Sequence, residues 1–283
     1  KSLHHHYTGH MINKQPYSNV HTLRVPLHTS PYLDFISQLD CNQFMPVNID
    51  IKEGCIGPPD KTSASKSDHL RKEIQLWARV LGKRPVSTLT LEQASQSFSP
   101  AGFTQLMHEL ASHFNFNDEA TVLRTLVIPI NSAQSDITAL AKGLGFNCYQ
   151  LKLDEKQMRS EDLELLKSHI GQLRDYAADF VGVQFCHTDC LTDISNYIRQ
   201  IKQTCSPDYI CVGAENNIYD IDSTQQREKL LEIVESRGAH DTLRFGPGAH
   251  SKISHKHIQN YCSEEKYIAA LHSGRLPIHI GRS

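Results

Sequence analysis

The sequence predicts an α/β fold built on a parallel sheet. Apolar residues recur with period two in some stretches and at helical spacing in the next, and the switch repeats along the chain. Six strand-like runs occur, each followed by a helical segment. No internal repeat or low-complexity linker interrupts the alternation. Such a pattern builds right-handed βαβ crossovers. The count is too low for a closed eight-unit barrel unless two units lie outside the obvious pattern. An open or three-quarter barrel and a doubly wound sheet both fit it, and in either case ligands gather at the carboxyl ends of the strands.

The first strand is predicted at residues 21–27, ahead of a helix over 67–81 with Leu70, Ile74, Trp77 and Leu81 on one face and Gly82 as its stop. Residues 86–91 alternate and are rich in β-branched side chains, so they read as a strand. A helix follows over 100–114, with Phe103, Leu106, Met107, Leu110 and Phe114 at helical spacing. Strands at 121–130, 147–153, 180–186 and 208–213 alternate with helices at 135–144, 160–178, 191–204 and 227–236. Residues 53–65 are the most loop-like interior stretch.

Composition excludes several function classes. A net charge of −2 leaves no electrostatic footprint for nucleic acid and no polybasic membrane patch. No apolar run is long enough to span a bilayer, and no signal-peptide pattern opens the chain. Eight cysteines in 283 residues do not form a disulfide framework, so they are expected as reduced thiols in a cytoplasmic protein. The histidine-rich opening, His4, His5, His6 and His10, reads as part of a flexible tail over residues 1–20.

One segment carries a resemblance. LRFGPGAHS at 243–251 is similar to the G-x-G-A-x-S segment of the radical-SAM oxygen-independent coproporphyrinogen III oxidases and their haem-chaperone relatives. Asn260, Tyr261 and the run from Glu265 to Pro277 resemble that family's continuation. Element order extends the resemblance weakly back to about residue 21. It implies a partial (β/α)6 barrel of radical-SAM type over 21–237, with a truncated C-terminal segment, 238–283, carrying the GPGAHS-type motif.

The family's chemistry needs three thiolates in C-x3-C-x2-C spacing to hold a [4Fe–4S] cluster, whose open iron binds S-adenosylmethionine. Set on this chain, the frame falls on Val25 and Pro26 and puts His28, Tyr32 and Phe35 at the cysteine positions. The glycine-rich segment falls near residues 92–96, where Glu92 brings a side chain and a charge in place of close backbone approach. The acidic strand end falls on Leu126 and Ile128. The resemblance therefore implies a scaffold whose [4Fe–4S] and S-adenosylmethionine sites are lost.

Two further constellations stand out. Cys186, His187 and Cys190 leave the predicted fifth strand with donors competent for zinc, although small buried thiols beside a loop give the same pattern. Gly246 and Gly248, followed by His250, His255 and His257, permit close backbone approach to an anion or a flat ligand, or serve only a tight turn. The expected function is a pseudoenzyme with a binding or accessory role in haem or porphyrin metabolism. Its cofactor-binding candidates are His28, Gly246, Gly248 and His250, and its metal candidates are Cys186, His187 and Cys190. The expected partner is a tetrapyrrole or a protein of the haem pathway. The alternatives are an enzyme with an altered metal site, or an interaction scaffold whose pocket is filled by Leu126, Ile128 and neighbours.

Overall fold

A computed structural model describes residues 35–36, 46–51, 63–92, 98–116, 122–132, 136–153, 160–176, 178–185, 191–212, 217–221, 240–254 and 256–279. The first described strand is β1 (Val47–Ile51), which is not among the strands predicted from the sequence. Asn48 and Asp50 alternate there with Val47, Ile49 and Ile51, and both polar residues are poor strand formers. The predicted strand at 21–27 and the predicted helix at 227–236 lie outside the described residues.

Four strands and five helices follow close to their predicted bounds. They run β2 (Val86–Glu92), β3 (Leu123–Pro129), β4 (Cys148–Leu153) and β5 (Phe180–Phe185), with α1 (Ser63–Leu81), α2 (Pro100–His113), α3 (Asp136–Gly143), α4 (Ser160–Asp175) and α5 (Leu191–Cys205) between and after them. The sixth predicted strand is β6 (Tyr209–Val212), and β7 (Asn217–Ile221) turns back antiparallel on it. Local chemistry sets the helix ends. Ser99 caps α2 by accepting from the Gly102 N–H at 3.2 Å, with Pro100 in the first turn. Gly82 follows α1 at φ 70°, a conformation that costs glycine little.

The C-terminal segment is continuous with the barrel sheet. β8 (Asp241–Phe245) lies parallel to β1, and β9 (His250–Ile253) and β10 (Lys256–Gln259) continue antiparallel beyond it. Ser263 then caps α6 (Glu264–His272), with Glu264 and Glu265 in the first turn. The full order is β10-β9-β8-β1-β2-β3-β4-β5-β6-β7.

β1 to β6 are mutually parallel neighbours in chain order. A doubly wound sheet reverses its order at a switch point, and this one does not. Every crossover therefore steps the same way and lays its helix on the same face. Ile49, Leu89, Leu126, Tyr149, Val181, Ile210 and Leu243 on that face join Trp77, Phe103, Ile170 and Ile201 of the helices in one core. The sheet is an open, partial barrel with helices outside. Among the described residues no helix is long and apolar enough to cross a membrane.

Candidate functional site

Because strand side chains alternate, the residues between those core positions face the concave side. Register defines them as rows. One row runs Arg244, Asp50, Thr90, Thr125, Cys148, Phe180. The next runs Glu92, Val127, Gln150, Gly182, Tyr209, and a third runs Pro129, Lys152, Gln184, Cys211. The carboxyl half of this face is polar and largely removed from solvent: Thr90, Glu92, Thr125, Gln150 and Gln184 are buried, and Asp50, Lys152 and Arg244 are half-buried. The Arg244 Nε donates to Asp50 Oδ2 at 3.2 Å, joining β8 to β1 across this face. The buried Thr125 hydroxyl, in the same row, has no hydrogen-bond partner.

The other part of the concave face is closed. Leu123, Cys148, Phe180, Tyr209 and Cys211 form a second, smaller apolar cluster. The Tyr209 ring lies over Gly182, where an added Cβ would stand 2.2 Å from the ring. The Tyr209 hydroxyl donates to Gln150 Oε1 at 3.2 Å and meets the Cys148 Sγ at 3.1 Å. A tyrosine on an edge-side strand thus plugs the barrel floor, and the glycine opposite makes room for it.

At the carboxyl end of β8 the chain turns through Gly246 (φ 103°) and Gly248 (φ 69°). The backbone groups of this turn are spent inside the protein. The Gly246 N–H donates to Glu73 Oε2 at 2.9 Å, the Gly248 N–H to the Tyr261 carbonyl at 3.0 Å, and the Ala249 N–H to the Gly246 carbonyl at 3.2 Å. Glu73, on α1, is fully buried and also accepts from Asn260 Nδ2 at 2.7 Å and the Tyr267 hydroxyl at 2.6 Å. Asn260 Nδ2 donates in addition to the Gly246 carbonyl at 2.8 Å. Burial pushes the Glu73 carboxyl up from 4.5 to about 7, against the pull of these donors toward the charged form.

The predicted site residues fare unequally. Gly246 and Gly248 form the turn, and His250 is exposed at the start of β9, its carbonyl accepting from Arg244 Nη1 at 3.4 Å. His28, Tyr32, Cys186, His187 and Cys190 lie outside the described residues. Phe35 is buried in the outer core, with Lys256 Nζ 5.7 Å from its ring centre. The frame that placed Phe35 at a cysteine position assumed that residues 21–27 are the first strand. β1 at Val47–Ile51 is the strand between β8 and β2, and residues 52–62 that follow it in the sequence contain one cysteine, Cys55. Leu126 and Ile128 are corrected too: they face the helices and fill no pocket.

Sequence reasoning missed Asp50, Lys152, Arg244 and Glu73. Glu73 had a readable signal, since it sits at helical spacing from Leu70 and Trp77 on the face that is otherwise apolar. Asp50 and Arg244 had none, because their pairing spans most of the chain. A shallow groove between α2 and α3, lined by Pro100, Ala101, Thr104, Gln105, His108 and Leu140, belongs to the outer layer and not to the barrel mouth. Among the described residues no three His, Cys, Asp or Glu side chains gather as metal ligands.

Sequential parallel strands, helices on one face and a polar concave mouth define an open, partial (β/α) barrel. Among solved structures the chain is similar to coproporphyrinogen III oxidase (HemN) from Escherichia coli, a radical SAM enzyme. The match has a TM-score of 0.62 at 16% identity and covers 87% of this chain and 74% of that one. At that identity the likeness is one of fold. The citrate synthase SbnG is matched over 83% of this chain and 85% of its own at 11% identity, with a TM-score of 0.33. No protein-family model and no curated protein matches the sequence.

Proposed function

We propose that this chain is a pseudoenzyme of the coproporphyrinogen-oxidase type, which binds a tetrapyrrole in the barrel mouth without performing radical chemistry. The carrying observation is the concave face, which keeps Asp50, Thr90, Glu92, Gln150, Lys152 and Gln184 in its mouth half. A barrel kept only as a scaffold needs no charged or amide side chains there, so a mouth that keeps them favours a binding role over a filled scaffold. A porphyrin offers a flat apolar ring with carboxylate arms, and such arms would meet Lys152 and the Arg244–Asp50 pair in that mouth.

The residues do not fit a three-thiolate cluster. C-x3-C-x2-C spacing occurs nowhere in the sequence, and the segment after β1 offers Cys55 alone. Of the described cysteines, Cys148, Cys205 and Cys211 are buried, and Cys148 opens β4 at the end of the sheet opposite the mouth. No step is routed through iron or S-adenosylmethionine.

The test has two arms. Anaerobic reconstitution with iron and sulfide is expected to give no cluster absorption that S-adenosylmethionine perturbs; such a spectrum would end the pseudoenzyme reading. Titration with haem, and separately with coproporphyrin, is expected to give a saturable Soret shift. Lys152→Met should weaken it by about tenfold, the loss of one charge-assisted contact. No saturable shift with either ligand removes the tetrapyrrole reading.

A further inference from the structure

Among the described residues Glu73 is the most deeply buried carboxylate, and the groups that meet it are neutral donors. The groups that meet it come from four places. Gly246 presents its amide from the β8–β9 turn, Asn260 its side-chain amide from the end of β10, and Tyr267 its hydroxyl from α6. Trp77, on the same helix, has an indole N–H without a well-aligned partner, and it favours the charged carboxylate. Tyr267 is the titratable group facing Glu73 from α6. The other titratable contact between these helices is His69 on His272, with ring centres 5.5 Å apart and with Asp68, Lys72 and Glu264 acting on His69.

Three of these donors belong to the C-terminal segment, and all three converge on one side chain of α1. Of them only the tyrosine hydroxyl can reverse direction, donating to a carboxylate or accepting from a carboxylic acid. Its 2.6 Å contact serves either arrangement. We propose that the C-terminal segment docks on α1 through a proton-linked contact, in which the proton on Glu73 controls how tightly β9, β10 and α6 are held. With the proton in place, the acid donates to Tyr267 and accepts from Asn260 and Gly246, and no bare charge is buried. When the proton leaves to solvent, a full charge stays buried in the seam with neutral donors and, among the described residues, no cation to meet it, and the segment loosens. The contact anchors the turn beside Arg244, so the same proton sets the rim of the barrel mouth.

The sign follows from the raised carboxyl. The folded protein binds the proton more tightly than the unfolded chain, so the stabilisation is complete below 4.5 and is lost as pH rises through about 7. Chemical unfolding of wild type and Glu73→Gln from about pH 5 to about pH 8.5 should show the ratio of their unfolding constants changing on the order of a hundredfold, wild type losing ground as pH rises. Over that range amide hydrogen exchange in 256–279 should speed up relative to β3 and β4 in wild type only. A ratio that stays constant with pH overturns the proposal. Should Glu73→Gln fail to fold, Tyr267→Phe serves instead. It removes a donor to the carboxylate and should move the pH midpoint of wild-type loosening upward; an unmoved midpoint overturns the proposal as well.

Discussion

Gly182 and Tyr209 show how tightly one residue can fix the barrel floor. A Cβ at 182 would overlap the Tyr209 ring, which is held on its other side by Gln150 and Cys148. Gly182→Ala should therefore cost about 1–3 kcal/mol of stability, seen as a lower urea midpoint with unchanged slope, and Tyr209→Leu in the same chain should recover part of it. Glu73→Ala acts in the opposite sense, removing an acceptor. It leaves the Gly246 N–H, the Asn260 amide and the Tyr267 hydroxyl facing an empty buried space. At about 1–3 kcal/mol for each unsatisfied donor, partly relieved by relaxation, the loss should be about 3–5 kcal/mol at pH 6 by the same measurement.

Between elements, polar pairs decide which strands and helices stay together. At the amino end of β1, β2 and β8, buried Arg84 donates to Asp241 Oδ2 at 2.7 Å and to the Pro46 carbonyl at 3.2 Å. Asp241 Oδ1 in turn accepts from the Ser254 N–H at 2.9 Å. Asp241→Ala would take the counter-charge from a guanidinium with no solvent to turn to, and a loss of about 3–5 kcal/mol is expected in denaturant unfolding. The α1–α6 seam adds a pH term of its own. Burial, then the neighbouring His272, lowers the His69 pKa below 6.5, so the stability that His69 contributes is present above 6.5 and is lost as pH falls through its folded value. His272→Gln should flatten this acid-side loss in thermal melts and leave the alkaline-side loss through Glu73 in place.

Over the whole molecule, legibility follows how local each cause is. Helices α1 to α5 and strands β2 to β6 were readable because Leu70, Ile74 and Trp77, or Thr88 and Thr90 alternating with Leu89 and Leu91, repeat within a few residues. β1 was not, although Val47, Ile49 and Ile51 alternate with Asn48 and Asp50, because the run is only five residues long and both polar residues are poor strand formers. The expected cluster frame starts from residues 21–27, which lie outside the described residues, whereas the strand paired between β8 and β2 is β1. The GPGAHS-type turn was legible as a motif but not in its use: Gly246, Asn260 and Tyr267 are separate letters in the sequence and one hydrogen-bonded knot around Glu73 in space. Asp50 and Arg244 stand 194 positions apart, and only the β1–β8 register brings them together.

That register also governs how the chain must be assembled. β1 is among the first strands to be synthesised, yet its partner on one side, β8, comes from the last quarter of the chain. Until β8 emerges, β1 shows a bare hydrogen-bonding edge carrying Val47, Ile49 and Ile51, which is a template for pairing with another chain. A nascent or truncated protein is therefore exposed to self-association for most of its synthesis. Removing residues 238–283 should shift the protein from the supernatant to the pellet on expression, and supplying that segment as a separate chain during refolding should return part of it. In this fold the final residues act as the closing stitch for the first strand.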